Sequence, residues 1–226
     1  MRKQSVGGTF YPNDPKELER YFNHFNTILN NPIQYDSINS RAIIVPHAGY
    51  IYSGFSANIA YKILKNSSIK NLILIGPSHK IAFEGTSICE ESSYETPLGV
   101  IEDARQLRQR IQERFDLKYL KEAHAEHSTE TQFPFIKYYL KDVKMIELIY
   151  SREDPQHLSE IIDFCLEDNT IGIIISTDLS HFYDLEKAKK LDNICLNAIA
   201  KLNTSMLHKG CEACGKKGVE AMLVSA

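Results

Sequence analysis

Several histidines in this sequence of 226 residues come shortly after apolar runs, a placement that suits metal binding or acid–base chemistry. His47 directly follows one such run, and His79 and His181 follow two others within five residues. Imidazole is the commonest metal ligand in proteins and also the side chain that most readily exchanges protons near neutral pH. Because the three histidines occupy equivalent places in three separate units, we expect them to converge on one site.

The residue types alone do not determine the third ligand of such a site. Two histidines and one anionic ligand are typical of catalytic zinc sites and of non-haem iron sites. Asp178 is one candidate, which leaves His181 available as a base. The other candidate is a late CxxC pair, Cys211 and Cys214. A single CxxC does not predict a zinc ribbon, and this one lies far from an early strand, unlike a redox CxxC.

A further polar segment, residues 123–130, carries histidines and acidic residues just before a predicted helix. Ser128 and Glu130 can cap that helix, which accounts for part of the polarity locally. Glu126 and His127 can instead face the crevice as hydrogen-bonding or acid–base groups.

The elements that position these residues are short apolar strands alternating with amphipathic helices. Continuous apolar runs of this kind are typical of strands buried on both faces of a sheet. The pattern predicts an α/β fold, a three-layer sandwich whose central sheet is mostly parallel or mixed and is covered by helices. In such sheets the site lies at the carboxyl ends of the strands. The predicted strands are 42–46, 71–76, 143–149 and 171–176, and the predicted helices are 15–29, 56–64, 102–115, 129–140, 155–166, 185–202 and 215–226.

Composition excludes some classes of function. Hydrophobic residues make up 43% of the chain, charged residues 24%, and the net charge is -3, so no basic surface for nucleic acid is indicated. We also expect no membrane span and no secretory signal. Five scattered cysteines indicate reduced thiols and a cytoplasmic protein rather than a disulfide framework. A single domain over residues 1–226 is predicted, because the longest polar linker, 30–41, is too short and early to divide two.

Several motifs follow one another along the chain. In order, they are Gly7-Gly8-Thr9-Phe10-Tyr11-Pro12, Pro46-His47-Ala48-Gly49-Tyr50, Tyr52-Ser53-Gly54, Gly76-Pro77-Ser78-His79, Tyr94-Glu95-Thr96-Pro97-Leu98-Gly99, Glu126-His127-Ser128, Gln132-Phe133-Pro134-Phe135 and Ser176-Thr177-Asp178-Leu179-Ser180-His181. Together, in this order, they resemble the Memo family, also called AmmeMemoRadiSam system protein B in prokaryotes. The resemblance covers nearly the whole chain, and since family members usually continue with further strands, we expect this chain to lack the family's C-terminal strands.

The resemblance implies a fold similar to the class III extradiol dioxygenases and a metal site of two histidines and a cysteine. Carried over, His47, His79 and Cys214 are the implied metal ligands, and Cys214 matches better than Cys211 because a glycine follows it. The implied metal is Fe(II), with copper or zinc as alternatives. Asp178 and His181 match residues that line the same pocket, and the dioxygenases use the corresponding histidine as an acid–base group. The catalytic candidates are therefore His181 and Asp178, with His127 from the polar segment.

Two functions fit these expectations. The first is a metal-dependent redox enzyme acting on dioxygen or on a small aromatic substrate, with Tyr50, Tyr52 and Tyr94 as an aromatic wall. The second is a non-catalytic adaptor that presents the same crevice to a phosphotyrosine-type peptide, as the eukaryotic relatives are thought to do. Fold alone does not choose between the two, and the oligomeric state is not readable from the sequence.

Overall fold

The fold is organised around a five-stranded sheet, seen in a computed structural model that describes residues 1–29, 35 and 37–226. Its strands are β1 Ala42–Val45, β2 Asn71–Pro77, β3 Thr86–Ile88, β6 Lys144–Tyr150 and β7 Ile171–Ser176, and a separate hairpin is formed by β4 Ser93–Thr96 and β5 Gly99–Glu102. The five strands are arranged in the order β1-β7-β2-β6-β3. The first four of these run parallel, and β3 pairs antiparallel with β6 at the edge.

Helices cover both faces of the sheet. They are α1 Pro15–Thr27, α2 Tyr50–Leu64, α3 Arg105–Phe115, α4 His127–Glu130, α5 Phe133–Tyr139, α6 Pro155–Leu166, α7 Leu185–Ala200, α8 Thr204–Leu207 and α9 Lys216–Val224. Alternate residues of β2 enter different cores, with Leu72 and Leu74 on one face and Ile73 and Ile75 on the other. The first core is completed by α1, α2 and α5, and the second by α3, α6, α7 and α9. The predicted three-layer α/β arrangement is therefore confirmed.

Local signals explain where α1 begins. The Asp14 side chain accepts a hydrogen bond from the backbone N–H of Glu17 at 2.8 Å, and Pro15 occupies the first helical position. An N-cap carboxylate satisfies a backbone donor that has no partner within the helix, and proline needs no such partner. This helix start was predicted from the sequence, as were the four long strands to within one residue at each end.

Three predicted helices differ from the structure. The helix predicted over 56–64 is α2, which begins earlier, at Tyr50, after the N-cap residue Gly49. Glu102 lies at the end of β5 rather than in α3, because the turn after Thr96 reverses the chain and Gly99 takes a φ of 114° there. Only glycine adopts such a backbone conformation without strain. The predicted helix over 129–140 is two helices, α4 and α5, and the second begins with Pro134 in its first turn.

The prediction that all cysteines are reduced was wrong for one pair. Cys195 in α7 and Cys211 form a disulfide across 16 residues. Both side chains are buried in the core beneath α7 and α9, where the fold brings two thiols together that the sequence separates. The free cysteines of the described chain are Cys89, Cys165 and Cys214.

Two further sequence predictions concern the linker and the membrane. The polar stretch 30–41 lies partly outside the described residues, which omit 30–34 and 36. Among the helices that the structure describes, none combines the length and the apolar character needed to cross a bilayer.

Candidate metal centre

The candidate site lies at the carboxyl edge of three adjacent strands. His47 follows β1, Asp178 follows β7, and His79 follows β2. Because parallel strands end at the same edge, residues far apart in sequence meet there. His47 and Asp178 are joined directly, since the Asp178 carboxylate accepts the backbone N–H of His47 at 2.7 Å.

The His47 ring is buried, and its orientation is set by the last residue of β7. Its Nδ1 lies 3.0 Å from the Ser176 hydroxyl. That hydroxyl donates its proton to the backbone carbonyl of Ser128, so its oxygen accepts from Nδ1. The Nε2 atom of His47 is then the nitrogen left to face the Cys214 sulfur, at 3.3 Å. His47 thereby presents Nε2 to the site, where it can donate to the sulfur or, without its proton, bind a metal.

Cys214 reaches the site from the segment between α8 and α9. The backbone N–H of Asp178 donates to its sulfur at 3.3 Å. The next residue, Gly215, donates its N–H to the Thr177 hydroxyl at 2.8 Å. A Cβ at position 215 would lie 2.6 Å from the Cβ of Thr177, so only glycine allows this close approach. Close packing against Thr177 therefore explains why a glycine follows Cys214.

The surroundings of Cys214 favour the thiolate. Burial raises the pKa of this thiol, but hydrogen bonds with His47 and His79 outweigh it and lower the pKa to about 5. The reciprocal hydrogen bond with Cys214, together with that of Glu126, raises the pKa of His79 to about 9. A thiolate is the form of cysteine that binds metals and acts as a nucleophile.

His127 joins His47 and His79 in a cluster of three imidazoles. One ring nitrogen from each lies within 4.8 Å of those of the other two. Ligand atoms about 2.1 Å from one metal ion lie up to about 4.2 Å apart, so small side-chain adjustments suffice. Imidazole nitrogens with a thiolate form a donor set that suits iron, copper and zinc. The residues therefore fit a metal ion.

Asp178 and His181 lie on the solvent side of this cluster. An oxygen of Asp178 is 3.8 Å from Nε2 of His47 and 3.6 Å from Nε2 of His181. The His181 side chain is 43% exposed. Asp178 thus connects the buried histidine with the exposed one. Its other oxygen accepts the N–H groups of His47 and Ala48, so it is engaged in fixing the backbone.

The predicted aromatic wall is wrong for two of its three tyrosines. Tyr50 and Tyr94 are buried in the core, where Tyr50 donates to the Thr131 carbonyl at 2.8 Å. Tyr52 is 83% exposed. The aromatic ring that does contact the cluster is Phe10, whose centroid lies 4.9 Å from that of His127.

The polar segment before α4 is arranged differently from the predicted cap. Glu126, not Ser128, caps this short helix, because its side chain accepts the N–H groups of His127 and Ser128. His124 is buried away from the cluster and lies 2.7 Å from the Glu147 carboxylate.

Sequence reasoning also missed Ser176, whose only signal was a hydroxyl at the end of an otherwise apolar strand.

Comparisons with known proteins agree with the motifs. A family model described as Memo-like protein matches residues 2–226. A MEMO1 family protein of Aquifex aeolicus is 34% identical over 92% of this chain and 78% of the relative. A MEMO1 family protein of Desulfurococcus amylolyticus is 30% identical over 99% of this chain and 87% of the relative.

Proposed function

The chain belongs to the Memo-like protein family, and on that basis we propose that His47, His79 and Cys214 bind a redox-active metal ion. The observation that carries the proposal is the approach of the Cys214 sulfur to Nε2 of His47, at 3.3 Å, beside a cluster of imidazoles. A thiolate and several imidazoles on rigid strand ends form a preorganised set of ligands. His127 is the alternative third ligand, since its ring nitrogen lies in the same cluster.

The proposed metal is Fe(II), with copper or zinc as alternatives. A site of two histidines and one anionic ligand, open on one side, is the arrangement used by non-haem iron enzymes. A thiolate in place of a carboxylate raises the affinity for copper(I) and zinc. Metal content therefore has to be measured in protein prepared without oxygen.

The proposed activity is that of a metal-dependent oxidoreductase, similar to the dioxygenases, acting on a small aromatic substrate. The bound ion would supply the reaction with dioxygen. The chain would supply a proton donor and acceptor, His181, which lies 3.6 Å from Asp178 and has an exposed side chain. His127 is the second acid–base candidate.

A second candidate function is an adaptor that presents the same crevice to a phosphotyrosine-type peptide in the cytoplasm. The observation that favours it is the side chain of Phe182, which is fully exposed beside His181. Exposed aromatic side chains are enriched at interfaces that bind other proteins. Imidazoles in the crevice would pair with a phosphate.

The test begins with metal analysis of wild-type protein purified without oxygen, beside Cys214→Ser. Cys165→Ala is the matched control, because it removes a free thiol that lies in the core away from the site. We expect about one metal ion per chain in wild type and control, and loss of metal from Cys214→Ser. Wild-type protein that binds no Fe(II), copper or zinc would overturn the proposal.

Two further results separate the alternatives. Metal that survives Cys214→Ser but not His127→Ala would assign the third ligand to His127. Oxygen uptake by the Fe(II) protein with catechols supports the enzyme, and its absence together with phosphotyrosine-peptide binding that is lost in His47→Ala supports the adaptor.

A further inference from the structure

One carboxylate, Glu126, lies behind two of the clustered histidines. Its side chain is fully buried. One oxygen, Oε2, accepts the backbone N–H groups of His79 at 2.7 Å and Lys80 at 3.2 Å. This oxygen therefore fixes the backbone that follows β2, from which the His79 side chain projects.

The other oxygen, Oε1, faces the rings. It lies 2.7 Å from Nδ1 of His127 and 3.3 Å from Nδ1 of His79. It also accepts the backbone N–H of His127 at 2.8 Å. One oxygen thus contacts the same ring atom of both histidines, whose ring centroids are 4.6 Å apart.

The other partners of Glu126 determine the direction of these hydrogen bonds. Its two oxygens accept the backbone N–H groups of His79, Lys80 and His127, as a carboxylate does. An ionised carboxylate only accepts hydrogen bonds. Nδ1 is therefore the donor to Glu126 in both rings, and Nε2 of each is the nitrogen that can bind a metal once it carries no proton.

We propose that Glu126 is a positioning residue that orients His79 and His127 together, presenting Nε2 of both to one metal ion. The proposal rests on the proposed metal site and takes His127 as one of its ligands beside His79. Histidine ligands commonly donate their second N–H to a carboxylate, which fixes the ring and raises its basicity. Here one carboxylate orients both rings, so its loss would affect both at once.

Helix capping is the competing explanation for Glu126, because it also caps α4. Capping alone would make Glu126 important for stability but not for the metal. Glu153 offers a matched control, since it is also buried, caps no part of this site, and lies 3.2 Å from Nδ1 of His157. Its other partners are Thr86 and Asp154.

The first experiment is titration of the folded, metal-free protein with Co²⁺, followed by visible absorption. Glu126→Gln, Glu126→Asp and Glu153→Gln are compared with wild type, and circular dichroism establishes that each is folded. We expect Glu126→Gln to weaken Co²⁺ binding about 10- to 100-fold. Glu126→Asp keeps the charge and should recover part of that loss, and Glu153→Gln should bind as wild type does. Wild-type affinity in folded Glu126→Gln would overturn the proposal.

The second experiment needs no metal. Nitrogen-15 spectra of the histidine rings report whether the Nδ1 protons of His79 and His127 are protected from exchange with water. We expect protection of both in wild type and loss of both in Glu126→Gln. Protected Nδ1 protons in a wild-type protein that binds no Co²⁺ would refute the metal site and leave the orienting role of Glu126 standing. Rapidly exchanging Nδ1 protons in wild type would refute that role, even where metal binds.

Discussion

Asp178 and His47 are joined by a hydrogen bond of 2.7 Å, from the His47 backbone N–H to the carboxylate, across 131 residues of sequence. The same oxygen accepts the N–H of Ala48 at 3.1 Å. The backbone N–H of Asp178 in turn donates to the Cys214 sulfur at 3.3 Å. Asp178 therefore holds the loop after β1, and its own backbone contacts the segment that delivers the cysteine.

Asp178→Ala should destabilise the fold and loosen the site. The change leaves the N–H groups of His47 and Ala48 without their acceptor, and unpaired donors of this kind cost about 1–3 kcal/mol each. Chemical denaturation should show a loss in the free energy of unfolding of about that size, with weaker metal retention. Asp163→Ala, on the exposed side of α6, should change neither. Unchanged stability in Asp178→Ala would show that water replaces the carboxylate at no cost.

Cys214 should react with iodoacetamide in metal-free protein at a rate that is nearly constant between pH 7 and 9. Its thiol has a pKa of about 5, so it is already ionised there, and the rate should fall only as pH drops through 5. An ordinary thiol, with a pKa near 8.5, would instead react faster as pH rises through that value. Mass spectrometry identifies the labelled residue, and Cys214→Ser provides the blank. A rate that climbs through pH 8–9 would contradict the assigned thiolate.

Arg2 should contribute strongly to stability, because it lies 2.9 Å from Glu130 and 3.9 Å from Glu147, and both carboxylates are fully buried. Arg2→Met removes the cation and leaves buried charges uncompensated, at a cost of about 3–5 kcal/mol. Chemical denaturation measures this loss in the free energy of unfolding.

The adjacent residue provides the control for this pair. Lys3 forms an exposed pair with Glu95 at 3.1 Å, and Lys3→Met should cost less than about 1 kcal/mol. Equal effects of Arg2→Met and Lys3→Met would contradict the importance of the buried pair.

The Cys195–Cys211 disulfide should make stability depend on reductant. A cross-link over 16 residues stabilises a fold by about 2–4 kcal/mol. Wild type should lose that amount in dithiothreitol, whereas Cys195→Ser should be weaker from the start and insensitive to reductant. Thiol titration of unfolded, unreduced protein should count three free thiols, Cys89, Cys165 and Cys214. A count of five would mean that the pair is reduced in the isolated protein.

The sequence predicted the sheet, and the meeting of His47 and His79 at one of its edges, because both follow from the pattern of apolar runs. Apolar runs identify the strands, and parallel strands bring their carboxyl ends together, which places His47 and His79 at one edge. Ser176 lies at that edge too, but its role depends on the carbonyl of Ser128, which no local pattern reveals.

The remaining features depend on tertiary contacts between distant segments. Residue types left Asp178 and the late cysteines as rival ligands. The structure places Asp178 and Cys214 side by side, since the backbone N–H of Asp178 donates to the Cys214 sulfur. The spacing of the cysteines did not identify Cys211 as the disulfide partner of Cys195. Spacing also did not show that the Glu126 carboxylate contacts the rings of both His79 and His127.

The distance along the chain between His47 and Cys214, 167 residues, has a consequence for how the protein matures. No partly folded intermediate that lacks the docked segment around Gly215 can contain the complete set of ligands. A metal ion that needs both residues in place would bind the native state in preference to such intermediates and raise its melting temperature by mass action. With the proposed ligands, metal occupancy would therefore report that this segment has docked.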